Sequence, residues 1–283
     1  MTLSEALNYG TDKIGRRDAM LLLSHVTGYS KSRIRIYVNE AITKPARAEY
    51  LKCLERCARN EPIQYIIGKW EFMGLELNVD KRALIPRPET ELLVEEAVKF
   101  IKSRASTQGG SKIKVLDVCT GSGCIALAIA HMCTDAEVIA VDISRDALSL
   151  AKENAAKLNL FPNHQNFIES DLIEQLLNRS NEKFDVVISN PPYIPSGEIA
   201  GLSANVCKFE PRLALDGGVD GMDIYRRLIP QSISVLKPGG ALFLEIGPVA
   251  VANLMAGAGF SDISLIRDYA GLERIITGVK KDV

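Results

Sequence analysis

Lys114-Val115-Leu116-Asp117-Val118 runs directly into Cys119-Thr120-Gly121-Ser122-Gly123, and the apolar segment Cys124 to Ala130 begins with no spacer. A β-rich run that breaks into glycines and opens at once into a helix predicts a strand, a tight turn and a helix in direct succession. Gly121 and Gly123 allow backbone angles that a side chain makes costly, and the helix start leaves N–H groups without intrahelical partners. Such a turn serves either as a plain structural connection or, at the carboxyl end of a strand in an open α/β sheet, as the place where a ligand sits. The residues downstream favour that sheet. Candidate strands at 113–118, 137–142, 166–170, 184–189, 241–246, 263–267 and 273–279 are separated early on by helical segments at 123–132 and 145–158. This is the alternation of a mostly parallel sheet covered on both faces.

Upstream, residues 1–62 carry helical rather than strand periodicity: Leu3, Ala6 and Leu7 share a face, as do Met20 with Leu23, and Leu51 with Leu54 and Ala58. A small helical domain over 1–62 follows, either a packing appendage or a docking element. Within 63–88, Glu71-Phe72-Met73-Gly74-Leu75-Glu76-Leu77-Asn78-Val79 suits a short hairpin around its central glycine, which makes this stretch a linker. Helix signals resume from Thr90 to Arg104, Gln108-Gly109-Gly110-Ser111 marks a loop, and 89–283 forms the main domain.

Of 283 residues, 34 are Lys or Arg and 35 are Asp or Glu, so the surface presents no strong field for a polyanion, and stable nucleic-acid binding by charge alone is not expected. None of the six cysteines pairs as Cys-x-x-Cys, so no metal site is expected and the thiols read as reduced. Met1 to Arg17 has no apolar signal-like run, and the most apolar stretch, Ala241 to Phe260, is interrupted by Glu245, Gly247, Pro248, Asn253 and Gly257. A cytoplasmic protein without a membrane span is the expectation. His25, His131 and His164 read as ordinary helix or loop residues.

Val138-Ile139-Ala140-Val141 ends in Asp142, close to the distance beyond a glycine turn at which an acidic side chain meets ribose hydroxyls. Asp171, after Asn166-Phe167-Ile168-Glu169-Ser170, can accept from an adenine amino group while Leu172 covers the ring; equally, Ser170-Asp171 can cap a helix starting near Leu172. These features fit a nicotinamide dinucleotide as well as S-adenosylmethionine, because Gly121-Ser122-Gly123-Cys124-Ile125-Ala126 also satisfies the dinucleotide fingerprint. Against a dehydrogenase, no candidate acid or base for hydride transfer stands near the strand ends.

The strand Phe184-Asp185-Val186-Val187-Ile188-Ser189 empties into Asn190-Pro191-Pro192-Tyr193, beyond a strand end and so beside the same ligand site. An amide or aniline-like nitrogen is a poor nucleophile because its lone pair is delocalised, and two acceptors aimed at its N–H bonds would orient that lone pair toward a sulfonium methyl. The Asn190 side-chain oxygen can be one acceptor and the Pro191 carbonyl the other. The rings of Pro191 and Pro192 fix φ and hold both in place before substrate arrives, and Tyr193 can stack on the planar group. The alternative is a rigid loop exit without chemistry.

With Glu61-Pro62-Ile63-Gln64-Tyr65-Ile66-Ile67-Gly68, Leu84-Ile85-Pro86-Arg87-Pro88-Glu89-Thr90-Glu91 and Glu210-Pro211-Arg212-Leu213-Ala214-Leu215 added, nearly the whole chain resembles the PrmC/HemK family of protein glutamine methyltransferases. The Ile-Pro-Arg-Pro-Glu-Thr-Glu run separates it from the adenine methyltransferases of DNA or RNA that share Asn-Pro-Pro-Tyr, the alternative function. The resemblance implies a Rossmann-like, seven-stranded α/β fold whose last strand is antiparallel to its neighbours, with a helical N-terminal domain and a hairpin linker. It implies S-adenosylmethionine as cofactor, held around Cys119, Thr120, Gly121, Ser122, Gly123, Asp142, Asp171, Leu172 and Asn190. Asn190, Pro191, Pro192 and Tyr193 would hold the substrate, the glutamine amide of the Gly-Gly-Gln loop in class 1 peptide chain release factors, and the enzyme would be a monomer. Arg87 and Glu89 are open between pairing within the linker and lining the entrance. Two departures from the family pattern are Cys119, where glycine is usual, and Pro248-Val249-Ala250, where a glutamine commonly follows.

Overall fold

The computed structural model describes residues 1–107, 111–161, 166–177, 183–247 and 251–281. Gln108 to Gly110 of the expected loop, His164, and Pro248 to Ala250 lie outside the described residues. The chain divides into two compact units, Met1–Lys69 with Ser203–Phe209, and Trp70–Leu202 with Glu210–Val283.

The first unit holds α1 (Leu3–Ile14), α2 (Arg16–Thr27), α3 (Lys31–Ile36), α4 (Lys44–Ala58) and α5 (Ile63–Ile67). Thr2 and Glu5 form a reciprocal capping box at the start of α1, and the hydroxyls of Ser30 and Thr43 cap α3 and α4. One apolar cluster closes the unit, with Leu3, Ala6 and Leu7 from α1, Leu22 and Leu23 from α2, and Tyr50 and Leu54 from α4. The inward stripe of α4 runs through Tyr50, Cys53 and Leu54, while Ala58, expected on that face, is exposed. Residues 63–67, read as the start of a linker, are the helix α5, which packs Ile63 and Ile66 into this cluster.

From the boundary at Lys69 onward, the hairpin strands are β1 (Lys69–Phe72) and β2 (Leu75–Asn78), joined by Met73 and Gly74 at φ of 50° and 75°, the positive values a two-residue hairpin turn requires. Then come α6 (Pro88–Thr107), β3 (Ile113–Val118), α7 (Cys124–Met132), β4 (Ala136–Asp142), α8 (Arg145–Lys157), β5 (Phe167–Glu169), α9 (Glu174–Leu177) and β6 (Phe184–Ser189). After α10 (Ala204–Phe209), which groups with the first unit, follow α11 (Asp223–Val235), β7 (Leu236–Glu245), α12 (Ala252–Ala258), β8 (Phe260–Arg267) and β9 (Glu273–Lys280). Seven strands form one sheet in the order β5-β4-β3-β6-β7-β9-β8. Neighbours from β5 to β7 are parallel, and β9 is antiparallel to both β7 and β8.

Alternate side chains of one strand feed opposite cores. Ile113 and Val115 of β3 pack with α6, α7 and α8, whereas Leu116 and Val118 pack with residues of α11 and α12. Both faces are covered, which is why the strands read as unbroken apolar runs. The strand order changes direction beside β3, between β4 and β6, so the carboxyl ends of these strands frame the crevice where ligands bind in such sheets. One strand differs from the sequence expectation. β7 begins at Leu236, because Lys237-Pro238-Gly239-Gly240 is accommodated at a register shift opposite Phe184 and Val186. The helix α11, outside the sequence expectations, carries Pro230 in its interior. Among the described residues no helix is long and apolar enough to cross a membrane, and no group of three or more His, Cys, Asp or Glu side chains is placed to hold a metal. All six cysteines are free thiols.

Candidate active site

The glycine turn is built from below by a carboxylate. Asp117, near the end of β3, is fully buried; its Oδ2 accepts from the Thr120 hydroxyl at 2.6 Å and from the Ala126 N–H at 3.1 Å, so it ties the turn to the first residues of α7. Burial pushes its carboxyl up to about 7, and its Oδ1 has no hydrogen-bond partner. Gly121 and Gly123 take φ of 56° and 82°, and a Cβ on Gly123 would come within 3.0 Å of Ala151. Cys119 also lies in the left-handed region, at φ 59°, a conformation that costs a side-chain-bearing residue roughly 1–2 kcal/mol. Asn154 of α8 donates to Ser122 O at 3.0 Å and to Asn78 O at 3.1 Å, and accepts from Asn78 N at 2.7 Å, joining turn, helix and hairpin.

Asp142 closes the turn from the next strand. Its Oδ2 accepts from the Gly121 N–H at 2.8 Å and its Oδ1 from the Ser144 N–H at 2.9 Å. These two donors favour the charged carboxylate while burial raises its pKa. Past β5, Leu172 is buried at φ 50°. The Ser170 hydroxyl accepts from Gln175 N at 3.2 Å, so Ser170 caps a helix that starts at Glu174 rather than Leu172. Asp171 is half-exposed and pairs with Arg227 at 2.7 Å.

A cavity of about 250 Å³ lies against these strand ends. Cys119, Thr120, Gly121, Ser122, Asp142, Asp171, Leu172, Asn190 and Pro192 line it; Gly123, Pro191, Tyr193 and Glu89 do not. The segment between β2 and α6 forms one wall and is pinned at both ends: Arg82 pairs with Asp80 at 2.7 Å and Glu153 at 2.5 Å, and Arg87 pairs with buried Glu210 at 2.7 Å. Glu210 also accepts from the Ile85 N–H at 3.3 Å. Arg87 therefore lines the cavity, and its partner is not within the linker but Glu210, 123 residues further along the chain.

Behind Asn190 stands a polar chain that sequence reasoning missed. The Asn190 Nδ2 donates to the Thr90 hydroxyl at 3.0 Å, and that hydroxyl donates to Glu245 Oε2 at 2.6 Å. The Tyr193 hydroxyl reaches Glu245 Oε1 at 3.4 Å, and Tyr225 donates to the Glu245 backbone carbonyl at 2.8 Å. Glu245 is 2% exposed, and burial raises its pKa. The Tyr193 ring lies over Gly247, where a Cβ would come within 2.7 Å of it. The signal that could have revealed Asp117 and Glu245 is a carboxylate inside an otherwise apolar strand, rarely buried without a task.

A parallel-centred sheet with one cavity at its carboxyl edge and Asn-Pro-Pro-Tyr on its rim defines a methyltransferase, and a methyltransferase domain family matches residues 110–253. The PrmC N-terminal domain family matches residues 5–68. The release factor glutamine methyltransferase of Clostridium acetobutylicum is 40% identical over 95% of this chain and 93% of its own length. That of Moorella thermoacetica is 36% identical over 100% of both. The chain belongs to the release factor glutamine methyltransferase family. Among solved structures, the T. thermophilus 16S rRNA methyltransferase RsmC, in complex with AdoMet and guanosine, covers 75% of this chain and 50% of its own at TM-score 0.52 and 19% identity. The hMettl16 catalytic domain covers 84% and 82% at TM-score 0.52 and 15% identity. Both show the same Rossmann-like fold.

Proposed function

We propose that this enzyme methylates the side-chain nitrogen of the glutamine in the Gly-Gly-Gln loop of class 1 release factors, with S-adenosylmethionine as donor. The observation that carries the reading is that one cavity is lined by the glycine turn, by Asp142 and by the Asn190 carboxamide. The residues fit the cofactor. Asp142 keeps lone pairs for ribose hydroxyls beyond the two N–H bonds it already accepts, Leu172 offers an apolar wall beside an adenine, and Asp171 an acceptor at its edge. When bound, S-adenosylmethionine supplies an electrophilic methyl on a positively charged sulfur.

Asn190 and its neighbour do the rest by positioning. Its Oδ1 accepts one N–H bond of the glutamine amide, and the adjoining Pro191 carbonyl, although Pro191 itself does not line the cavity, is the proposed acceptor for the other, which turns the nitrogen lone pair toward the methyl and favours the charge that develops on nitrogen. Tyr193 does not line the cavity, so its part is to brace Glu245 and the loop from behind. The helical unit, expected over 1–62 and spanning Met1–Lys69 with Ser203–Phe209, is assigned to substrate docking.

The test is transfer of labelled methyl to a purified release factor. Label should vanish with Gln→Ala in the Gly-Gly-Gln loop, and label that persists there, or passes instead to a bare adenine-containing oligonucleotide, overturns the substrate. Asn190→Ala should lower turnover on the order of 100-fold while S-adenosylhomocysteine affinity changes little; equal loss of both would refute the role of Asn190.

A further inference from the structure

We infer that Thr90 and Glu245 are positioning residues that decide which end of the Asn190 carboxamide is presented to substrate. The inference rests on the reading of Asn190 as an amide acceptor and extends it to Thr90, which lines the cavity beside Asn190, and to Glu245, which does not line it. An asparagine amide has a donor end and an acceptor end of nearly equal size. Turned over, it would set an N–H against the N–H of the incoming glutamine, and the lone pair of that nitrogen would lose its orientation. Shape hardly distinguishes the two states, so hydrogen bonding has to.

The local arrangement permits one state. A threonine hydroxyl carries a single proton. That of Thr90 is committed to the buried carboxylate of Glu245 at 2.6 Å, so what its oxygen offers Asn190 at 3.0 Å is lone pairs. Only the NH₂ end of Asn190 can meet lone pairs, and the carbonyl end is therefore left for the cavity. Inverting the amide would place Oδ1 against the Thr90 oxygen, acceptor facing acceptor. Glu245 is held so that it can enforce this: its other oxygen takes the Tyr193 hydroxyl at 3.4 Å, and its backbone carbonyl takes the Tyr225 hydroxyl at 2.8 Å. The three members come from the start of α6, the loop after β6 and the end of β7, so three separate elements are tied together behind the Asn190 amide. A carboxylate only 2% exposed and outside the cavity lining is costly to keep; commitment of the Thr90 proton is the task that accounts for it.

The experiment compares Thr90→Val, which removes the hydroxyl at nearly constant shape, with Thr90→Ser, which keeps it, in the full chain with release factor as substrate. Thr90→Val should lower kcat roughly 10- to 100-fold, within the range seen when one aligned polar contact is lost from a reacting centre. Its affinity for S-adenosylhomocysteine by calorimetry should stay within about 3-fold of the parent, and Thr90→Ser should recover most of the rate. In an Asn190→Ala background, Thr90→Val should add less than about 2-fold, because a residue acting through Asn190 has nothing left to orient. The inference is overturned if Thr90→Val turns over like the parent, if cofactor affinity falls as far as kcat, if serine fails to recover the rate, or if the loss is undiminished without Asn190. Should Asn190→Ala itself retain full turnover, it is the underlying reading of Asn190 that fails.

Discussion

Replacing Asp117 with asparagine should remove a pH dependence from the stability of the sheet unit. Asp117 is fully buried and its carboxyl is pushed from 3.8 to about 7 by burial, against the pull of Thr120 and Ala126. Below about pH 4 the group is protonated in folded and unfolded chains alike and contributes no difference. Between about pH 4 and 7 the unfolded chain releases the proton while the folded one retains it, so the folded state binds more protons and stability falls as pH rises. The loss is complete above the folded value. Three units at about 1.4 kcal/mol each amount to roughly 4 kcal/mol, an upper estimate for a site that can relax. Asparagine cannot titrate, yet its Oδ1 can still accept from Thr120 and Ala126. The variant should therefore gain on the parent by up to ~4 kcal/mol between pH 4 and pH 8, on top of a constant offset from its own unpaired N–H. Trp70, the single tryptophan, belongs to this unit, so its fluorescence in urea titrations follows the unfolding that matters. Parallel stability curves for parent and variant across that range would refute the reasoning, because the other buried carboxyls are common to both proteins.

Three further outcomes follow from the packing. Gly247→Ala would set a Cβ within 2.7 Å of the Tyr193 ring; overpacking of this size costs about 1–3 kcal/mol, and methyl transfer should drop more than cofactor affinity, as measured by label incorporation and calorimetry. Asp185→Asn leaves Arg104 and Lys237 without the charge they pair with at 3.2 and 2.7 Å; urea midpoints should show a loss of about 2–4 kcal/mol with cofactor affinity unchanged. Arg87→Ala frees one end of the segment that walls the cavity and leaves Glu210 buried without its cation; S-adenosylhomocysteine should bind roughly 5- to 10-fold more weakly, with the dissociation rate rather than the association rate carrying the change.

What the sequence disclosed depended on how far apart the interacting residues lie. The strand at 113–118 was legible to the residue because an apolar β-run bounded by glycines marks both its ends, and Asp142, Asp171 and Asn190 were legible because each stands where such a run stops. The first half of β7 was hidden because Lys237-Pro238-Gly239-Gly240 has the composition of a turn and is held in a strand only by its neighbour. Domain boundaries were blurred because Ser203–Phe209 groups with a unit about 130 residues upstream, a partnership no local pattern records. The hydrogen bonds behind Asn190 span 100 residues to Thr90, and the next link spans 155 residues to Glu245.

Such distant links leave one trace, the carboxylate out of place in an apolar strand, and three stand in adjacent strands: Asp117 in β3, Asp185 in β6 and Glu245 in β7. Burial alone does not sort them. Position along the strand does, since in parallel strands the carboxyl ends meet the ligand and the amino ends do not. Asp117 and Glu245 stand at the carboxyl ends and hold, respectively, the glycine turn and the Asn190 amide. Asp185 stands at the amino end of β6, where it gathers Arg104, Lys237 and the Lys114 N–H into a clasp across the edge of the sheet. Two buried acids, Glu245 at the carboxyl end of β7 and Asp185 at the root of β6, can thus differ wholly in consequence: Asp185→Asn should weaken the fold and spare both cofactor binding and the turnover of the folded enzyme, whereas Thr90→Val should slow the turnover of the folded enzyme with cofactor affinity kept, and the contrast measures that difference directly.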